Sequence, residues 1–262
     1  MTDIPATADS SAADSPAPQP TPEVTYEVRE GVARITLAAP GRRNALSVEM
    51  SHEIIEAART AEADPAVGAI VITGGPHFCS GAVREVLAAA GKDPAEDRAY
   101  RNLETIYRAF TSIGEIGLPT IAAVRGAAVG AGLNLALATD LRVVSTTARL
   151  LPGFAQIGIH PGGGHFTLLS RAGGREAAAA MGVFGEEIDG ARAVQLGMAW
   201  AAVDDDQVES EAHRLAARVG RDPDLARRLV ANFRRQTAGG GLPWDVAVEM
   251  ERPSQMWSLR RR

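Results

Sequence analysis

The sequence predicts an α/β fold: a parallel sheet covered on both faces, then a helical C-terminal region. Three observations predict it. Short, wholly apolar runs at Ala69–Thr73, Pro119–Val124 and Leu141–Val144 have the length and composition of strands buried on both sides. Segments with apolar residues at helical spacing separate them. Beyond Gly162-Gly163-Gly164 the chain reads as mainly helical.

Residues 1–22 are rich in Ala, Ser, Thr, Asp and Pro, lack Lys and Arg, and show no apolar periodicity. Such a stretch cannot bury enough surface to offset its ordering entropy, so it is expected to be a disordered tail. Val24–Arg29 and Val32–Leu37 alternate apolar and polar about Glu30-Gly31, the pattern of a β-hairpin. Leu46, Met50, Ile54, Ile55 and Ala58 recur at helical spacing, with Ser47 as the expected N-cap. The Ala69–Thr73 strand ends at Gly74-Gly75-Pro76, and a glycine-containing loop runs to Ala82. Tyr100, Leu103, Tyr107 and Phe110 mark one helix face, expected to pack on the core. Gly126 opens a Gly/Ala-rich turn into an apolar helix, Gly132–Ala138. Later stripes run through Val208, Ala212, Leu215, Ala216 and Val219, then Leu225, Leu229 and Phe233. A last amphipathic segment spans Pro243–Trp257. The expected organisation is the tail at 1–22, a core at 23–200, and a helical region at 201–262.

Composition narrows the function. Hydrophobic residues make up 45% of the 262, charged residues 23% and aromatics 5%, so the core must be built mainly from Ala, Val, Leu and Ile. A net charge of −5 argues against a general nucleic-acid binder. The single cysteine excludes an internal disulfide and a Cys-based zinc site. No apolar run approaches the roughly 20 residues that span a bilayer, and the first residues lack a signal-peptide pattern; a cytoplasmic setting is expected. Neither a P-loop nor a G-x-G-x-x-G fingerprint is present.

Chemistry is expected at two turns, each following a buried strand: Phe78-Cys79-Ser80-Gly81-Ala82 and Gly126–Gly132. In open α/β sheets ligands sit beyond the carboxyl ends of the strands. Small residues let a ligand approach the backbone, and N–H groups at a helix start favour developing negative charge. Two such turns facing each other would cradle one oxygen as an oxyanion hole.

Several motifs stand in a specific order. They are Arg43-Asn44-Ala45-Leu46-Ser47, Ile70-Val71-Ile72-Thr73-Gly74, Phe78–Ala82, Pro119–Gly126, Gly130-Ala131-Gly132-Leu133-Asn134-Leu135-Ala136, Asp140–Val144, Ile157–Gly163 and Ala191–Met198. Together, over roughly residues 24–250, they resemble the enoyl-CoA hydratase/isomerase, or crotonase, superfamily. The resemblance implies a crotonase (ClpP-like) spiral of β-β-α units with a helical C-terminal trimerisation region, assembled as a homotrimer or a dimer of trimers. It implies an acyl-CoA thioester as substrate or ligand, with no other cofactor and no metal. Matched onto this chain, the oxyanion-hole N–H groups are those of Ala82 and Ala131. Arg43, Ala45, Phe78, Ser80, Gly81, Val83, Arg84, Gly130 and Gly162 fall at substrate- or CoA-binding positions.

The chain departs from that pattern where hydratases carry two glutamates. The first position is Asn134, which does not titrate; the second is Phe154, which neither titrates nor hydrogen-bonds. No Asp or Glu lies between Asp140 and Glu176. His160 and His165, flanking the Gly162–Gly164 turn, are the remaining candidates to move a proton. The other reading of both is a surface or capping histidine. Cys79 is expected to fill space, Asp140 to satisfy backbone donors, and Arg227, Arg228, Arg234 and Arg235 to form a solvated helix face. The expectation is an acyl-CoA enzyme working through a thioester enolate with non-standard acid/base residues. The alternative is a catalytically silent acyl-CoA binding protein of lipid metabolism.

Overall fold

Residues 21–261 are described by a computed structural model. The expected tail lies outside them except for Thr21 and Pro22. The chain opens with β1 (Val24–Arg29) and β2 (Val32–Leu37), paired antiparallel with Arg29 opposite Val32. The two turn residues, Glu30 and Gly31, both have positive φ (53° and 73°), the backbone a two-residue hairpin turn of this hand needs. The strands β3 (Ala69–Thr73), β4 (Thr120–Val124), β6 (Leu141–Ser145) and β9 (Ala201–Val203) add in parallel, giving a six-stranded sheet ordered β1-β2-β3-β4-β6-β9. A small second sheet holds β5 (Ala127–Val129), β7 (Arg149–Leu151) and β8 (Ile188–Asp189).

The two sheets are linked by a repeating path. A strand in the large sheet is followed by a short extended piece along the small one, then by a helix. Thus β2 leads past Leu46 into α1 (Val48–Ala63), and β3 past Cys79–Ala82 into α2 (Arg84–Lys92) and α3 (Asp97–Glu115). Likewise β4 and β5 lead into α4 (Ala131–Ala138), and β6 and β7 into α5 (His165–Gly182). Leu46 bridges Ala82 and Cys79 bridges Ala128, so the short pieces form one continuous ladder edge.

Alternation along the strands divides the core. Ile70, Ile72, Ala122 and Val124 face α1, α3 and α4 with Ile54, Ile106, Phe110 and Leu133. Ala69, Val71, Ile121 and Ala123 face the opposite way, onto Val208, Ala212 and Ala216 of α7 (Val208–Gly220). Burial on both faces is why these strands are apolar at every position. Ser47 caps α1 as expected, accepting from Met50 N–H at 2.9 Å.

Several expectations are corrected. The strands β8 and β9 lie in the stretch expected to be mainly helical; at two and three residues they are too short to show periodicity. Between them stands the short helix α6 (Gly190–Gln195). Tyr100 is 69% exposed; the buried stripe of α3 is Ala99, Ile106, Phe110 and Ile113. On α8 (Pro223–Thr237) the buried residues are Ala226 and Val230, while Leu229 and Phe233 are exposed. The α8 arginines are not merely solvated. Arg234 forks onto both Asp140 oxygens (2.8 and 2.7 Å) and donates to Leu118 O. Arg227 reaches the Glu62 and Asp64 carbonyls, and Arg228 stacks 4.0 Å over Trp257 of α9 (Trp244–Leu259). Asp140 also accepts from Thr120 N–H and Oγ1, as expected.

Removing the fork leaves a half-buried carboxylate short of two donors. Arg234→Ala is expected to cost about 2 kcal/mol, less than the roughly 3–5 kcal/mol of breaking a fully buried pair, because both side chains keep some contact with solvent. The exposed Arg235→Ala should stay within about 0.5 kcal/mol of wild type, both measured by urea unfolding.

Candidate active site

The site begins with a break in strand alternation. Cys79 bonds to β5: its N–H donates to Ala127 O (3.0 Å) and its carbonyl accepts from Val129 N–H (2.9 Å). Ser80 N–H turns the other way, to Arg43 O, and Gly81 at φ 102° keeps its carbonyl on that side, accepting from Leu46 N–H at 2.7 Å. Val83 N–H donates to Leu46 O, which closes the bridge and directs Ala82 N–H away from Leu46, towards β5. There β5 has ended. A Cβ on Gly81 would sit 3.1 Å from Val129 O and 4.0 Å from Ala131 N.

The opposing turn is built by Gly130 (φ 53°, ψ −114°), whose N–H donates to Leu151 O, and which starts α4 at Ala131. The first N–H groups of a helix have no intrahelical acceptor. Gly132 fits because it has no side chain: a Cβ there would lie 2.3 Å from Cys79 O. The two turns are adjacent, and neither Ala82 N–H nor Ala131 N–H has a protein acceptor among the described residues.

One helical turn below Ala131, Asn134 is buried. Its Nδ2 donates to Gly162 O (3.1 Å), and its Oδ1 lies 2.7 Å from His165 Nδ1. His165 begins α5 and is 1% exposed; its Nε2 is buried with no partner among the described residues. Burial pushes the imidazole's pKa down to about 4, so the ring is neutral at pH 7. The Phe154 ring packs edge-on against it, centroids 4.9 Å apart, and Phe154 Cζ would lie 3.6 Å from a Cβ on Gly130. Thus Phe154, Asn134 and His165 share one wall beside the two turns. Tyr107 Oη closes the far side of Gly162, where a Cβ would come within 2.1 Å of it.

The other sequence-nominated residues are placed as follows. His160 is exposed, its Nδ1 2.7 Å from Pro161 O. Phe78 is core, fully buried. Ser80 Oγ donates to Arg42 O, Arg43 and Arg84 are exposed, Ala45 is buried, and Val83 caps α2. Cys79 fills space as expected; burial pushes its thiol up to about 12. The Asn134–His165 contact joins residues 31 apart, and no local sequence pattern signals it.

A family model described as enoyl-CoA hydratase/isomerase matches residues 27–254. The chain belongs to the enoyl-CoA hydratase/isomerase family. It is 46% identical over 179 residues to EchA14 of Mycobacterium tuberculosis, described as a probable enoyl-CoA hydratase, covering 68% of each chain. It is 36% identical over 230 residues to a probable enoyl-CoA hydratase of Rhodobacter capsulatus, covering 86% of this chain and 85% of that one. An enoyl-CoA hydratase structure from Polaromonas sp. JS666 superposes with a TM-score of 0.81 at 29% identity, covering 90% of this chain and 91% of the other. The path of alternating large-sheet strand, small-sheet strand and helix is thus the crotonase fold. Among the described residues no helix is long and apolar enough to cross a membrane, and no cluster of three metal-ligating side chains occurs.

The lowered His165 pKa sets a pH dependence of stability. The unfolded ring, near 6.5, takes a proton that the folded ring refuses until about pH 4. The associated stability is therefore complete above pH 6.5 and is lost as pH falls towards 4. Between pH 7 and 5, urea unfolding should show wild type losing about 2 kcal/mol more than His165→Gln.

Proposed function

We propose that this protein binds acyl-CoA thioesters and stabilises a thioester enolate between the Ala82 and Ala131 N–H groups, with His165 as its proton-transfer group. The observation that carries the reading is the pair of adjacent turns whose Ala82 and Ala131 N–H groups lack a protein acceptor, together with a buried imidazole whose Nε2 has no partner among the described residues. Fixed backbone donors in a water-poor site stabilise developing charge without reorganising. Alanine at 131 leaves this intact, because the donor is main chain.

On a 2-enoyl thioester the step balances as follows. Water gives a proton to His165 Nε2 as its oxygen bonds to C3. The displaced electron pair moves onto the thioester oxygen as an enolate between the two N–H groups. The imidazolium then returns the proton to C2 and the carbonyl reforms. Proton removal from an acyl C–H and its return at another carbon would isomerise a double bond with the same groups. An imidazole with a pKa near 4 accepts protons weakly and returns them readily, so slow hydration is expected. The family's usual assembly as a trimer or dimer of trimers is proposed for this chain as well. Phe154, apolar in place of an acid, favours the second reading, an acyl-CoA binding protein without turnover.

The test is incubation with crotonyl-CoA and a longer 2-enoyl-CoA, following loss of the conjugated-thioester absorbance alongside calorimetric binding. Binding with slow turnover, flat between pH 5.5 and 8, is expected. His165→Gln should lower turnover by about 10²-fold or more while keeping binding. Unchanged turnover in that variant would refute the assignment of His165, and binding without any turnover would favour the second reading. Ala131→Pro removes one donor at a helix position that tolerates proline, and should cost about 10²–10³ in turnover with the fold retained.

A further inference from the structure

We propose that Asn134 is a positioning residue that fixes the tautomer of His165, leaving Nε2 as the hydrogen-bond acceptor for an O–H donor in the acyl site. The inference rests on the acyl-CoA reading above and adds the role of the residue standing at a hydratase glutamate position.

The argument starts from the Gly162 carbonyl, which can only accept. It lies 3.1 Å from the Asn134 amide. Turning that amide over would set two oxygens against each other, so Nδ2 faces Gly162 and Oδ1 faces His165. Oδ1 can only accept, and at 2.7 Å from His165 Nδ1 it requires the ring proton to sit on Nδ1. Nε2 then carries a lone pair. That atom is buried and has no partner among the described residues. A buried acceptor without a donor costs roughly 1–3 kcal/mol, so the site is built to receive one. The donor must be small, because Phe154 and Phe166 rings flank the imidazole. Water or a hydroxyl on the acyl chain has the required chemistry.

The positive end of α5 disfavours an imidazolium at its first residue, in the same direction as burial. No carboxylate or cation is bonded to the ring among the described residues; the nearby titratable side chains are Tyr107, across Gly162, and His160, 6.0 Å from Phe166. Among the described residues the Asn134 amide is thus the only group bonded to the ring, and it sets which nitrogen is free.

The experiment is nitrogen NMR of protein labelled with 15N-histidine, with the His165 signals assigned by their loss in His165→Gln. Wild type at pH 7 should show a protonated Nδ1 and an unprotonated Nε2. Asn134→Leu, which removes the Nδ1 acceptor at similar volume, should move the ring proton wholly or partly onto Nε2 and lower turnover without abolishing acyl-CoA binding. A proton on Nε2 in wild type, or an unchanged tautomer in Asn134→Leu, would overturn the proposal. The wild-type tautomer is read without any variant at position 134. A saturated acyl-CoA bearing a 3-hydroxyl, compared with its unsubstituted counterpart, separates the donors: an Nε2 shift with both points to water, and with the hydroxylated ligand alone to the acyl chain. Absence of turnover would sink the catalytic reading without altering the tautomer, and a different tautomer would leave acyl-CoA binding untouched.

Discussion

The close seating of α4 on the backbone of Cys79 is the constraint from which the site follows. Only a glycine at 132 allows it, since a Cβ there would lie 2.3 Å from Cys79 O and 2.7 Å from its Cβ. That contact brings the open N–H end of a helix beside a strand whose alternation has slipped at Gly81. Each turn alone would leave a solvated N–H. Held together, they set two N–H groups without protein acceptors side by side, and the cost of ordering them is met once, on folding, by a core mainly of Ala, Val, Leu and Ile.

The wall beside those donors has changed its chemistry. A pair of carboxylates would bring two like charges near a developing enolate. Here the same wall carries an amide, a neutral imidazole and a phenyl ring, none charged at pH 7. Less charge means a weaker base. In the proposed reaction the stabilisation of developing charge therefore falls to the backbone dipoles.

Much of the architecture was legible because it depends on local patterning. The hairpin at Glu30-Gly31, the Ser47 cap and the strand at Ala69–Thr73 each follow from short-range rules. The turns at Ala82 and Ala131 were legible through their small residues and their place after buried strands. What escaped depends on neighbours distant in sequence. Tyr100 and Tyr107 share a helical stripe, yet only Tyr107 turns inward, because the face is set by Gly162 and Gly163 across the fold. Arg234 looked like one of four solvated arginines until Asp140, 94 residues away, received it. His160 and His165 are equivalent in composition and spacing about the glycine turn. Only the buried one meets Asn134, and periodicity carries no signal of that pairing.

The central claim is that a thioester oxygen is held between two backbone N–H groups, and the carbonyl itself reports on it. Butyryl-CoA labelled with 13C at the thioester carbonyl is saturated and cannot be hydrated, so it stays bound unchanged. Isotope-edited infrared spectra should show its carbonyl stretch at lower frequency on the protein than in water, because two fixed donors polarise the bond more than solvent does. A bound carbonyl at or above its frequency in water would mean that the oxygen lies outside the Ala82–Ala131 cradle, and would contradict the account.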